Sequence, residues 1–526
     1  MTAGLQLGAP GVYRAPDRVD RSFRPVRLDV AGFVGVAPRG PVDKPVLVQS
    51  WSDYQLRFGG FDGPGLLPYA VSVFFEQGGE RAYVVRVGPP ATSPGCDDAR
   101  ARHRLDLVTV TGDPVVFAAS NEGSWGNQIQ LCLEFGIAQQ FPGRITAGNE
   151  LGLPDGVNVP AGSLLRLRGP GLPALGEFRY VCRLILREVA PGWRQRIALL
   201  DQPLPAGAEL PVAGVVTATL VVNDGDRGIA GEERIPDLGL HVEHPRFLGR
   251  TVAEESLLVA PVGDWTADAV ALTDPLLAPV SAQLVTEGRD RYAEISGASF
   301  FDGPPDEPFD EDPFAERPHH GVDRMVREPE IGLLAVPDLL WSWLDQPAQV
   351  ELPVPGSAPG FGPCPPPPLP DTYQTPARMV PLDARKPDEL SDIVARQRRL
   401  VDVAQRYRRF VALLDVPSGL ELRAIAQWRA EFDSSYAAVY HPWLTVIRTD
   451  VVRAGITRTV GTRQDKAVVP PSAFAAGIIA ARERRLGLPW GPANELAVGA
   501  VLAAELVSDA EHDSLHQLGI NVFRAE

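Results

Sequence analysis

The sequence is poor in cysteine and histidine and contains no long apolar run. Its 526 residues include four cysteines and eight histidines. The cysteines are far apart, without a CxxC pair or a Cys/His cluster at zinc-finger spacing, so neither a disulfide framework nor a structural zinc site is predicted. They are Cys96, Cys132, Cys182 and Cys364. We interpret them as small apolar residues in a reducing compartment.

The chain also lacks the features of a membrane protein or a nucleic-acid-binding protein. No segment holds the roughly 18 apolar residues that a membrane span requires, and the N-terminus has no basic region followed by an apolar one. We therefore expect a soluble protein made in the cytoplasm, without direct membrane insertion. The formal net charge of −16 disfavours a nucleic-acid partner, because binding to phosphates uses clustered Lys and Arg.

Proline, glycine and apolar spacing divide the chain into four parts. Residues 1–25 are rich in Pro and Gly around a few apolar side chains, which predicts an extended arm that cannot fold alone. Residues 26–90 combine strand-like runs with one helical pattern. Residues 91–245 consist of short β-branched runs separated by Gly, Pro, Asn and Asp, and residues 246–526 return to alternating strands and helices.

These patterns predict the α/β fold class. Strands separated by long helices favour a mixed α/β core in which helices pack on a largely parallel sheet. The region 91–245 is predicted to be an inserted β-rich domain within that core. Exposed loops are predicted near 303–320, which is acidic, and near 346–372, which is proline-rich, since neither segment has apolar periodicity.

The best case for an enzyme is an α/β hydrolase. Asp415 ends the strand-like run RFVALLDVP, and catalytic groups of α/β enzymes lie at the carboxyl ends of parallel strands. Ser434, Ser435 and His441 follow, but no GxSxG motif presents either serine on a strand-to-helix turn. We interpret Asp415 as the cap of a turn or helix at 417–420, and we keep the hydrolase as an alternative.

Metal and nucleotide sites have weaker support. His319 and His320 adjoin the acidic loop that contains Asp310, Glu311, Asp312 and Glu316, but adjacent histidines lack the i, i+4 spacing of a helical metal motif. His241 and His244 are three residues apart, and Pro245 argues against a helix that carries both. No GxxxxGK[ST] motif occurs. We therefore predict no cofactor, no metal and no enzymatic activity.

Eight segments, spread over most of the chain, have a distinctive sequence. They are APGVYRAP, AGFVGVAPRGPVDKPVLVQSWSDYQLRFGGF, YAVSVFFEQGGERAYVVRV, AASNEGSWGNQIQL, RFVALLDVP, WRAEFDSSYAAVYHPWLTV, VPPSAFAAGIIAARERRLGLPWGPANE and LHQLGINVFR. In this order they resemble the contractile tail sheath family of phages and phage tail-like injection machines.

The resemblance implies a structural protein. Sheath subunits stack as six-fold rings in a helical polymer around an inner tube, and collective contraction drives the tube through a target envelope. The implied partners are further copies of this chain, the inner tube protein, and baseplate and terminator or cap proteins. The implied location is the bacterial cytoplasm during assembly, and then a phage tail or a phage tail-like particle.

The resemblance also implies roles for particular residues. An arm segment of each subunit joins a β-sheet on a neighbour, and the matching residues here are Gly11, Val12, Tyr13 and Arg14. The residues of the matching core motifs are Trp125, Gly126, Asn127, Asp415, Trp443, Pro470, Pro471 and Asn494. In the family a C-terminal domain follows the GINVFR segment, whereas this sequence ends at Glu526. The alternative is therefore a sheath-related accessory or split-sheath subunit that does not polymerise alone.

Overall fold

A computed structural model describes most of the chain. The described residues are 27–61, 63–89, 95, 99–205, 211–225, 232–274, 276–303, 319–343, 379–447, 466–488 and 491–524. The predicted arm, with Gly11, Val12, Tyr13 and Arg14, lies outside them. So do the predicted loop at 346–372 and most of the loop at 303–320.

Eight α-helices occur in the described residues. They are α1 (Trp51–Phe58), α2 (Leu67–Glu76), α3 (Leu248–Glu255), α4 (Gly321–Met325), α5 (Pro387–Tyr407), α6 (Leu422–Arg429), α7 (Pro471–Leu486) and α8 (Asp509–Gln517). Proline lies in the first turn of α2, α5 and α7, where its missing N–H has no helical partner to lose. None of these helices is both long enough and apolar enough for a bilayer span.

The strands fall into three groups along the chain. The first are β1 (Val30–Gly35), β2 (Val46–Val48) and β3 (Arg81–Arg86). The second are β4 (Arg102–Thr109), β5 (Pro114–Ala119), β6 (Gln130–Pro142), β7 (Arg144–Ala147), β8 (Glu150–Gly152), β9 (Leu164–Arg168), β10 (Glu177–Ala190), β11 (Trp193–Leu200), β12 (Val212–Asn223), β13 (Glu232–Leu238), β14 (Val259–Pro261), β15 (Val270–Ala271) and β16 (Val280–Thr286). The third are β17 (Leu333–Ala335), β18 (Trp341–Trp343), β19 (Met379–Pro381), β20 (Val411–Asp415), β21 (Ala437–His441), β22 (Leu444–Ile447), β23 (Lys466–Val469), β24 (Ala500–Ala503) and β25 (Ile520–Val522).

The three strands of the first group and four strands of the third form a seven-stranded sheet. Its order is β2-β3-β1-β17-β20-β21-β25. The β2–β3 pair is antiparallel, and the other five pairs are parallel. Two further antiparallel sheets are small: β18 pairs with β19, and β22 lies between β23 and β24. The mixed α/β content agrees with the predicted fold class.

Helices cover both faces of the seven-stranded sheet. Alternate residues of one strand point to opposite faces, so Val34 packs with α4, α5 and α6 while Phe33 packs with α1, α2 and α7. A strand that is buried on both faces is apolar throughout, as the sequence VAGFVG of β1 is. At Gly477 of α7, an added Cβ would lie 2.6 Å from the Cβ of Gln77, so this glycine permits close approach of α7 to α2.

The second group of strands forms a thirteen-stranded antiparallel sheet. Eleven strands follow the order β14-β5-β4-β16-β6-β12-β9-β10-β11-β8-β7, with β13 paired to β12 and β15 paired to β4. The β-rich region predicted from the sequence ends at residue 245, whereas β14 to β16 extend this sheet to residue 286. The boundary differs because α3 and several prolines interrupt the strand periodicity just before the chain returns to the sheet.

Candidate functional site

Two buried carboxylates lie at the carboxyl edge of the seven-stranded sheet. Because β17 and β20 are adjacent and parallel, they end at the same edge. Asp338 follows β17 and Asp415 is the last residue of β20. Their exposed fractions are 0% and 7%. A buried acid requires compensation by hydrogen bonds, so the partners of each carboxylate define what this edge of the sheet does.

Asp338 joins the first and third groups of strands. Its carboxylate accepts hydrogen bonds from three backbone N–H groups, those of Val36 at 2.7 Å, Leu66 at 2.6 Å and Leu67 at 3.3 Å. The last two belong to the first turn of α2, where N–H groups lack helical partners. Burial raises the pKa of Asp338 to about 6, although the three N–H donors favour the ionised form. Asp338 therefore acts as a structural cap that connects distant parts of the chain.

Asp415 has a similar arrangement at α7. It accepts hydrogen bonds from the backbone N–H of Ser472 at 2.8 Å and from the Ser472 hydroxyl at 2.7 Å. The sequence pattern predicts that Asp415 caps a turn or helix at 417–420, and this prediction is wrong. The carboxylate instead caps the helix that begins at Pro471, because the N-terminus of α7 lies over the end of β20. Burial raises the pKa of Asp415 to about 7.

The backbone of Asp415 is also held by side chains of α5 and α6. The Gln397 amide donates to the Asp415 carbonyl oxygen at 2.8 Å, and the Trp428 indole donates to the Gln397 side-chain oxygen at 2.9 Å. The Trp443 indole donates to the carbonyl of Val416 at 2.9 Å. Together with the contact between Asp415 and Ser472 of α7, these contacts connect the end of β20 to helices on both faces of the sheet.

The residues of the hydrolase alternative are not brought together. His441 ends β21, beside Asp415, whereas Ser434 and Ser435 precede the start of this strand at Ala437. At about 3.3 Å per residue, the four residue steps of β21 from Ala437 to His441 span roughly 13 Å, and both serines lie before this strand. His441 Nε2 is 3.6 Å from a carboxylate oxygen of Glu505. The geometry therefore provides no nucleophile–base–acid arrangement from these four residues.

The other candidate histidines take part in local contacts. His319 Nδ1 lies 2.5 Å from Asp302, and His320 Nδ1 lies 2.7 Å from Asp43. The Nδ1 atoms of His241 and His244 accept from backbone N–H groups two residues further along a turn. The acids Asp310, Glu311, Asp312 and Glu316 lie outside the described residues, within which no group of three or more ligands could hold a metal ion.

A second set of buried polar residues joins the two large sheets. Arg86, at the end of β3, donates to the carbonyls of Ala37 at 3.0 Å and Gly40 at 2.8 Å, and to the carboxylate of Glu122 at 2.7 Å. The Arg86 and Glu122 side chains are 4% and 9% exposed. Since Arg86 belongs to the seven-stranded sheet and Glu122 follows β5 of the larger one, this ion pair connects the two sheets.

Arg39 makes a parallel connection. Its guanidinium pairs with the buried carboxylate of Asp224 at 2.7 Å and donates to the carbonyl of Gln55, in the last turn of α1, at 2.9 Å. The guanidinium carbon also lies 5.3 Å from the centre of the Trp125 ring, in a cation–π arrangement. We call the residues Arg39, Arg86, Glu122, Trp125 and Asp224 the junction.

The motif Trp125-Gly126-Asn127 lies at this junction, in a short 3₁₀ helix. The Asn127 side chain pairs with the backbone of Gly288, accepting from its N–H at 2.6 Å and donating to its carbonyl at 3.2 Å. His103 Nε2 lies 2.8 Å from the carbonyl oxygen of Gly126. The motif thus connects β4, the turn after β5 and the segment after β16.

Gly126 has no space for a side chain. An added Cβ would lie 2.8 Å from the Cβ atoms of both Ala101 and Ala119. We expect Gly126→Ala to lower the free energy of unfolding by about 1–3 kcal/mol, because the surrounding backbone must shift. Gly136→Ala in β6 is the control: its added Cβ meets nothing within 4 Å, so we expect a change within about 0.5 kcal/mol. Urea denaturation of the two variants tests this, and equal effects would contradict the packing argument.

Three other motif residues lie in backbone positions that their chemistry suits. Pro470 precedes α7 with extended backbone (φ −62°, ψ 137°), and Pro471 is the first residue of the helix. Asn494 is exposed and adopts a left-handed conformation with φ 55°, which Asn tolerates better than most residues. Sequence patterns did not indicate Arg39, Arg86 and Asp338 as residues of the site. A charged residue that ends an apolar strand, as in AYVVRV, was the available signal.

No protein-family model matches the sequence, and no curated protein matches it. The chain is similar to solved structures of a sheath tail protein from Listeria innocua, at 9% identity and a TM-score of 0.42, and of one from Desulfitobacterium hafniense, at 10% and 0.39. These matches cover 94% and 98% of this chain, and 65% and 72% of those chains. The contracted helical sheath of the anti-feeding prophage matches at 18% identity and a TM-score of 0.22, over 39% of this chain and 38% of that one. These three structures are of sheath proteins.

Proposed function

We propose that this chain is a structural subunit of a contractile tail sheath. In this role it assembles as stacked six-fold rings around an inner tube, and contraction of the assembly drives the tube through a target envelope. The observation that carries the proposal is that those segments with sheath-like sequence that the structure describes, although far apart in the chain, pack together into one body.

The convergence is most evident at the carboxyl edge of the seven-stranded sheet. RFVALLDVP supplies β20 and Asp415, and VPPSAF supplies Ser472, which donates two hydrogen bonds to that carboxylate. HPWLTV supplies the end of β21, with which β25 from GINVFR pairs in parallel. The motif residues hold one another in place, as expected of a protein whose function depends on its shape.

The polar residues of the junction favour the same role. A sheath subunit has to transmit load between neighbours, which requires that its parts move as one rigid body. Arg39 and Arg86 have buried carboxylate partners across the junction, and both also bind backbone carbonyls. Such fixed geometry suits force transmission better than it suits a hinge between two sheets.

The proposed partners are other copies of the chain, the inner tube protein, and baseplate and terminator or cap proteins. In this proposal Gly11, Val12, Tyr13 and Arg14 form an arm that adds a strand to a sheet of a neighbouring subunit, with main-chain hydrogen bonds supplying most of the attraction. The division into an arm, a core and an inserted β-rich domain belongs to the same proposal. Assembly takes place in the bacterial cytoplasm, and no cofactor is required.

Deletion of residues 1–22 tests this function. We expect the full chain, expressed with its tube and sheath-locus partners, to enter ordered tubular particles seen by negative-stain electron microscopy. The shortened chain should keep its circular dichroism spectrum but be absent from the particles, because each lost backbone hydrogen bond removes about 0.5–1.5 kcal/mol from every contact in the polymer.

The control is a double substitution within the arm, Val12→Ser with Tyr13→Ser, which keeps the backbone donors and removes the apolar burial. We expect an intermediate loss of incorporation. If the shortened chain enters particles as well as the full chain does, the arm is not the connection between subunits. If the full chain is found only at particle ends, the accessory-subunit alternative replaces the sheath proposal.

A further inference from the structure

Helix α8 carries two histidines one helical turn apart. His512 is half-buried and His516 is exposed, and their ring centroids are 6.4 Å apart with an interplanar angle of 35°. Within the described part of the chain, neither imidazole has a hydrogen-bond or ion-pair partner. The proposed function uses neither residue. Both therefore remain free to bind a ligand.

We propose that His512 and His516 together bind a divalent transition-metal ion, such as Zn²⁺ or Ni²⁺. Histidines at positions i and i+4 lie on one face of a helix and can share an ion. A Zn–N distance of about 2.0–2.1 Å places the ion roughly 3.3 Å from each ring centroid, so two rings that share an ion have centroids at most about 6.6 Å apart. The 6.4 Å separation falls within this limit.

A tetrahedral ion requires the rings to come somewhat closer. For an N–metal–N angle near 109°, the centroids lie about 5.4 Å apart, so the two rings must approach by about 1 Å. Rotation of side chains about χ1 and χ2 supplies this movement, since at least His516 is exposed to solvent. The helix backbone does not need to change.

The backbone beneath the two histidines is well fixed. Ser508 and Glu511 form a capping box at the start of α8, and Leu515, only 2% exposed, anchors the helix in the core. A helix that is already ordered loses little further conformational entropy when its side chains bind an ion.

The remaining coordination positions belong to water. Asp513 is three residues before His516 on the helix surface, and its exposed carboxylate can reach an ion at that ring directly or through a water molecule. No group of three or more ligands is already assembled in the described residues. The site is therefore an open site with two histidine ligands rather than a closed structural site. Chelators should remove the bound ion readily.

Isothermal titration of the full, tag-free chain with ZnCl₂ and NiCl₂ at pH 7.5 tests the proposal. We expect one ion per chain and a melting temperature that rises with metal concentration, because an ion that binds only the folded state stabilises it. Because the measurement uses the unassembled chain, it is independent of the sheath proposal.

Variants locate the site. We expect His512→Gln and His516→Gln each to weaken binding at least tenfold while the circular dichroism spectrum is unchanged. The combination of His516→Gln with Gln517→His keeps the histidine count but changes the spacing to i, i+5, and it should bind as weakly as either single variant. His319→Gln with His320→Gln should bind as the wild type does. Undetectable binding by the wild type, or full affinity in the spacing variant, would overturn the proposal.

Discussion

Arg86→Met should lower the free energy of unfolding by about 3–5 kcal/mol, because it removes one partner of a buried ion pair. Methionine retains the apolar stem but donates no hydrogen bond. The Glu122 carboxylate, 9% exposed, then has no cation opposite it, and the carbonyls of Ala37 and Gly40 lose the donors that now lie at 3.0 and 2.8 Å. Urea denaturation followed by intrinsic fluorescence measures the change.

The same strand offers a matched control. Arg81 pairs with Glu330 at 2.7 Å, but the two side chains are 28% and 46% exposed. Solvent screening makes such pairs weak, so we expect Arg81→Met to cost only about 0–1 kcal/mol. Adding Glu122→Gln to Arg86→Met should recover part of the lost stability, because it removes the unpaired charge. Equal effects of Arg81→Met and Arg86→Met would rule out a special role for the junction.

Asp415→Asn should change how stability depends on pH. The ordinary pKa of Asp is 3.8, and burial raises the pKa of Asp415 to about 7 in the folded protein. Between these values the folded state binds more protons than the unfolded state, so the wild type loses stability as pH rises from about 4 to about 7. At 1.36 kcal/mol per pKa unit, the loss attributable to this carboxylate is about 4 kcal/mol.

The asparagine variant should lack that loss. Its side-chain oxygen can accept from the Ser472 N–H, and its amide can donate to the Ser472 hydroxyl, so both contacts persist without a buried charge. We expect the variant to be at least as stable as the wild type at pH 8, in thermal unfolding measured at pH 4 to 8. Other titrating groups contribute equally to both proteins and cancel in the comparison.

Asp155→Asn is the control for this experiment, since Asp155 is exposed in a turn. It should keep the pH profile of the wild type. If the profile of Asp415→Asn also coincides with that of the wild type, the buried carboxylate does not cause the pH dependence, and the account of the α7 cap has to be revised.

The sequence predicted the parts of the fold that depend on local patterns. The run VAGFVG is apolar at every position because β1 is buried on both faces, and the amphipathic spacing of residues 387–407 corresponds to α5. Strands of two or three residues, such as β14 and β15, are too short to show any periodicity. For this reason the sequence did not indicate that the β-rich sheet continues through β14 and β15, which lie along the chain between its earlier strands and the seven-residue β16.

The polar contacts of the candidate site could not be predicted, because their partners are distant in the sequence. Asp415 meets Ser472, 57 residues further along, and the carboxylate partner of Arg86 belongs to another sheet. Sequence patterns assigned Asp415 to the end of a strand, but the helix it caps depends on how α7 packs. Only tertiary structure determines which of several nearby N-termini receives the carboxylate.

The order of the seven-stranded sheet determines when each part of the chain can fold during synthesis. β1 and β3 can pair as soon as the ribosome has released the first group of strands, but the other edge of β1 waits for β17, and Val36 waits for Asp338, 302 residues later. The thirteen-stranded sheet is synthesised in this interval and uses no strand from outside it. It can therefore fold before the seven-stranded sheet is complete. Until translation has passed β17, β1 keeps an open edge, which is a hazard for aggregation.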